Sequence, residues 1–137
     1  MDYYYNEFSK LQKEFHDVMH EYPLFLETIQ DIEDKDIKEI NELLDKNDEF
    51  YLKKAIRKLE DLIEFVKNTS TCIKKEYDKY DKLANIWEKI EISNVSEEQI
   101  DDINCRVKKA NELIKSHNIK DLIEANNIME KLIKNYE

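Results

Sequence analysis

The chain has 137 residues, no glycine, one proline (Pro23) and a net charge of −10 from 32 acidic and 22 basic residues. That length suits one domain able to bury a core without disulfides or metals, and the missing glycine rules out the glycine loops that bring backbone up to phosphate in P-loop and Rossmann folds. The acidity argues against nucleic-acid and anionic-membrane partners, and no apolar run approaches the roughly 20 residues that span a bilayer.

The elements read as helices from end to end. Tyr4, Phe8, Leu11, Phe15, Val18 and Tyr22 alternate steps of four and three, which predicts a first helix over about 3–22. Pro23 ends or kinks it and fits the first turn of a short second helix, about 24–32, carrying Leu24, Phe25, Ile29 and Ile32. Residues 33–36 read as a polar break, with Asp34 or Asp36 capping the next helix. Ile37, Ile40, Leu43 and Leu44 mark that third helix, and Asn47-Asp48 the turn after it. From Glu49 a stripe runs through Leu52, Ala55, Leu59, Leu62 and Val66. It resumes after the weak stretch 68–71 at Ile73, Tyr77, Tyr80, Ala84, Trp87 and Ile90, which predicts one long helix over 49–91. Ser96 with Gln99 forms a capping box, and Val95 with Ile100 a hydrophobic staple, opening a helix at 97 with Ile100, Ile103, Val107 and Ala110 inward. Asn118 caps the last helix, about 119–136, which buries Leu122, Ala125, Met129, Leu132 and Ile133.

Residues 107–134 match residues 37–64 without a gap at an offset of 70, with nine identities in 28 positions. Each copy reads as helix, turn, helix. The organisation expected is a single helical domain, 1–137: N-terminal helices 1–32, hairpin 37–64, long helix 49–91 and hairpin 97–136. The fold expected is all-α, an elongated bundle of five or six helices with one long central helix and two similar hairpins.

Chemistry is thinly signalled. His16 and His20 share a helix face and form the weak candidate for a metal pair, but no third ligand stands at fixed spacing. Carboxylates such as Asp31, Glu33 and Asp34 read as solvated helix faces. Cys72 and Cys105 lack CxxC spacing and read as reduced, inert thiols of a cytoplasmic protein. Lys53, Lys54, Arg57 and Lys58 make the densest basic patch and are followed by Glu60 and Asp61. Tyr77, Tyr80 and Trp87 lie on one seam of the long helix. The seam packs against neighbouring helices or forms a partner or dimer surface, since Tyr and Trp bury large area with a polar handle.

The run Val107-Lys-Lys-Ala-Asn-Glu-Leu-Ile, followed after the turn by Leu122, Ala125, Asn126, Leu132 and Ile133, resembles the helical hairpin near the C-terminus of DnaK-related heat-shock chaperones. The resemblance covers about 30 residues and implies a helical accessory or lid-like segment working with such an ATPase. It carries over no nucleotide or catalytic residue.

The expected function is a non-enzymatic protein–protein interaction module, an accessory or regulatory domain of a chaperone-like or other larger machine, using Tyr77, Tyr80 and Trp87. The alternative is a homo-oligomeric structural protein pairing through the same seam; a small metal-dependent enzyme using His16 and His20 ranks third. No cofactor, nucleotide, nucleic acid or membrane is expected as a partner.

Overall fold

A computed structural model describes residues 2–137. Helix α1 spans Asp2–Glu21 and α2 Leu26–Asp31; a π turn, Ile32–Ile37, leads into α3, Lys38–Asp45. The remaining helices are α4, Glu49–Lys89, α5, Glu97–Ile114, and α6, Ile119–Tyr136. The fold is all-α, with α4 as its long helix of 41 residues, about 60 Å at 1.5 Å per residue. No strand occurs among the described residues.

The expected break at 33–36 is replaced by the π turn. Neither Asp34 nor Asp36 caps a helix there; Asp34 accepts from Gln30 Nε2 at 3.1 Å through each carboxylate oxygen. The apolar spacing explains the continuity. Ile32 and Ile37 are five residues apart, which on a regular α-helix sets them about 140° apart. A π turn holds one more residue than an α turn, so Ile32 is buried and Ile37 half-buried on the same core.

The weak stretch 68–71 stays helical. Ser70 Oγ donates to Pro23 O at 2.8 Å and Thr71 Oγ1 to Lys67 O at 2.8 Å, so two of the three hydroxyls that favour non-helical turns are occupied. Val66, Ser70 and Ile73 are all buried, and their steps of four and three carry the inward stripe through. At α5 the capping box forms as expected: Gln99 N donates to Ser96 Oγ at 3.2 Å and Ser96 N to Gln99 Oε1 at 2.9 Å. Ile100, expected inward, is instead 45% exposed.

The chain divides into two compact units, Met1–Thr71 and Cys72–Glu137, and α4 contributes its first half to one and its second half to the other. In unit 1, α1 sets Phe8 and Val18 against Ile32 and Ile40 of the α2–π–α3 rod and Leu52, Ala55, Leu59, Leu62, Ile63 and Val66 of α4. In unit 2, Tyr80, Leu83 and Trp87 of α4 pack on Ile103 and Ala110 of α5 and Ala125, Met129 and Leu132 of α6.

Several positions of the two units correspond in burial. Leu52 and Leu122, Ala55 and Ala125, Leu59 and Met129, and Leu62 and Leu132 are buried pairs at the offset of 70. The turns agree as well: Asn47 has φ 49° and His117 φ 57°, both left-handed, where Asn and His are tolerated without glycine. The next residue caps in each, Asp48 Oδ1 accepting from Phe50 N at 2.8 Å and Asn118 Oδ1 from Lys120 N at 2.8 Å. The correspondence reaches the remaining helices with small changes of register. Tyr4, Phe8, Leu11, Phe15 and Val18 stand 69 before Ile73, Tyr77, Tyr80, Ala84 and Trp87. Ile29 and Ile32 stand 71 before Ile100 and Ile103, and the offset falls to 70 across the π turn. The extra residue of unit 1 is therefore the one the π turn absorbs.

Candidate interaction surfaces

The aromatic seam is spent partly on the core of unit 2. Tyr80 is half-buried, and its hydroxyl donates to Asn111 Oδ1 at 2.7 Å, tying α4 to α5. Burial, helped by the Asp81 carboxylate, raises the Tyr80 phenol above its ordinary value. Trp87 is half-buried and meets Tyr136 edge-on, ring centroids 6.2 Å apart, tying α4 to α6. Tyr77 is half-buried on the same helix.

Trp87 also lines an open groove between α4 and α5. Ile92, Ile103 and Val107 complete its apolar floor, and Lys108, Asn111, Glu112 and Lys115 rim it. Ile92 is 39% exposed and comes from the loop after α4, whose turn is made by Asn94 at φ 59°. The corresponding groove of unit 1, about 420 Å³, lies between α1 and the α2–π–α3 rod. It shares Ile32 with Ile103, Ile37 with Val107 and Asn41 with Asn111, and adds Phe8, Phe15 and Met19. Leu11 stands where unit 2 has Tyr80, so unit 1 lacks a bond at that position; its own tyrosine–asparagine bond runs from Tyr5 OH to Asn47 Oδ1 at 2.9 Å.

His16 and His20 do come together: their rings meet edge-on with centroids 4.6 Å apart, both on the surface of α1. No group of three or more His, Cys, Asp or Glu side chains able to hold a metal occurs among the described residues. Cys72 and Cys105 are both exposed and free. The basic patch of α4 is largely matched by its neighbours. Lys53 pairs with Glu49 at 3.4 Å and sits over the Tyr4 ring, Lys54 sits over Phe50, and Lys58 pairs with Glu39 at 2.6 Å. The Tyr4 hydroxyl, to which the Lys53 ammonium donates, and then Glu49 raise the pKa of Lys53.

Asn126 is 1% exposed, a buried polar side chain that a stripe of apolar residues alone passes over. Its Nδ2 donates to Glu76 O at 2.9 Å and to Glu76 Oε2 at 2.6 Å, while its Oδ1 is buried with no partner among the described residues. The signal was present: Asn126 lies four residues after Leu122 and one after Ala125, inside the core stripe of α6. Ile92 gives no such signal, because a loop residue has no periodicity to read. No family model matches the chain, and neither does any curated protein or solved structure. No helix of the described residues is long and apolar enough to cross a membrane.

Proposed function

We propose that the chain is a non-enzymatic protein-interaction module that receives an amphipathic segment of a partner protein in the Trp87 groove. The observation that carries this reading is that Trp87 and the exposed Ile92 line one groove with Ile103 and Val107, so a large aromatic side chain stands in an open apolar floor. The rim names the partner's chemistry. Lys108 and Lys115 flank the floor against the single carboxylate of Glu112, so the segment that fits carries apolar residues on one face and acidic residues at its edge. The same α5–α6 hairpin resembles the C-terminal hairpin of DnaK-related chaperones, and an accessory role beside such a machine is the form of this reading that the resemblance favours.

Affinity capture compares the wild-type protein with Ile92→Lys and Lys115→Glu, both exposed positions. A partner held by the wild type should bind each variant about tenfold more weakly, or worse, with the far-UV spectrum unchanged. Trp87, the one tryptophan of the chain, reports occupancy through its emission. Partners bound equally by all three proteins contradict the groove as the docking site.

A further inference from the structure

The second and third helical rods of each unit frame another groove. In unit 1 it is lined by Asp36, Ile40, Lys58, Asp61, Leu62 and Phe65. In unit 2 it is lined by Arg106, Lys109, Glu124, Asn127, Ile128 and Lys131. Asp36 and Arg106, Lys58 and Ile128, and Asp61 and Lys131 stand at the offset of 70. The positions of Asp36 and Asp61 therefore carry charge of the opposite sign in unit 2. Glu39 and Lys109 reverse in the same way, and so do Lys54 and Glu124. Over the hairpins, 37–64 holds eight acidic and six basic residues, net −2, while 107–134 holds four acidic and six basic, net +2, in a chain of net charge −10.

Internal pairing cancels only part of this contrast. Glu39 takes Lys58 at 2.6 Å, leaving Asp36 and Asp61 with no ion-pair partner among the described residues. Glu124 takes Lys109 at 3.5 Å and Asp102 meets Arg106 Nε at 3.2 Å, leaving Lys131 without one among the described residues. Each groove also offers apolar surface. Phe65 is 49% exposed beside Asp61, and Ile128 is half-buried where unit 1 has Lys58.

We propose that the chain self-associates head to tail, with the groove of unit 1 in one copy seated on the groove of unit 2 in a second copy. Asp36 and Asp61 then face Arg106 and Lys131, and Phe65 packs on Ile128. Two grooves of the same kind would set like charge against like, so the unlike pairing is the one the charges select. The contact joins different patches and is heterologous, closing into a ring or extending as a chain of copies. This proposal rests on the reading of the chain as an interaction module and adds a second copy as a partner at these other grooves.

Sedimentation velocity at micromolar concentration tests it on the full chain. The wild type should associate at about 0.05 M salt and dissociate as salt rises to about 0.5 M, where screening shortens the reach of charge. Asp61→Lys and Lys131→Asp should each weaken association about tenfold or more, and the protein carrying both substitutions should recover it. Both substituted positions are exposed, so an unchanged far-UV spectrum is expected throughout. A wild type that stays monomeric at every salt, or association indifferent to both single substitutions, overturns the proposal. Partner capture lost in Ile92→Lys reads the other groove. If that loss is seen while the wild type stays monomeric, the interaction reading stands and self-association alone falls.

Discussion

Asn126 shows how one polar side chain can fix a helix pair at a cost. Its two bonds to Glu76 join α6 to α4, yet its buried Oδ1 has no partner among the described residues, and an unsatisfied buried acceptor costs about 1–3 kcal/mol. Asn126→Asp would place a second carboxylate against Glu76. We expect a loss of about 3 kcal/mol at neutral pH, from a buried charge without compensation. The new carboxyl would have a raised pKa in the folded state, so the loss should shrink as pH falls; urea unfolding at neutral and acidic pH measures both. Tyr80 carries a second pH-dependent contribution. Its phenol is raised, chiefly by burial, so its contribution is complete below the ordinary tyrosine value near 10 and is lost as pH rises through the folded value. Ultraviolet titration should show a late ionisation that disappears in Tyr80→Phe. Removing the hydroxyl also deletes the bond to Asn111, a loss of about 1 kcal/mol.

At the scale of elements, the π turn makes the sharpest claim. It absorbs the one residue by which the second rod of unit 1 exceeds its counterpart. Deleting Lys35, an exposed residue of that turn, should convert it to regular helix and keep Ile32 and Ile37 inward. Thermal unfolding should stay cooperative with Tm within about 5 °C, or about 1 kcal/mol for a unit of this size. Deleting Glu60 from α4 should abolish folding of unit 1, because one residue rotates the stripe beyond it by about 100°. A similar collapse in both deletions contradicts the claim. The helices themselves were legible: steps of three and four placed α1, α4, α5 and α6 within about two residues, and Ser96 and Asn118 announced their helix starts chemically. The π turn was not, because a charged run, Glu33 to Asp36, looks like a loop until the five-residue gap between Ile32 and Ile37 is weighed as spacing. The seam of Tyr77, Tyr80 and Trp87 was legible as a stripe, but a stripe does not reveal how much of each ring its neighbours cover. Ile92 needed the loop's path, which no periodicity carries.

At the scale of the whole molecule, the two hairpins share buried core pairs, from Leu52 and Leu122 to Leu62 and Leu132, and their turns match in backbone angle, while other positions exchange acid for base. Packing constrains the first set and leaves the second free to diverge, so the reversed charges mark where recognition is encoded. The most direct measurement mixes Asp61→Lys protein with Lys131→Asp protein and follows the mixture by sedimentation velocity at low salt. The first variant turns its unit 1 groove basic, and the second turns its unit 2 groove acidic. Each protein alone should therefore associate about tenfold more weakly than the wild type, or worse, while the equimolar mixture should associate as the wild type does. A mixture that sediments as two independent monomers, beside a wild type that associates, would contradict the pairing of unlike grooves.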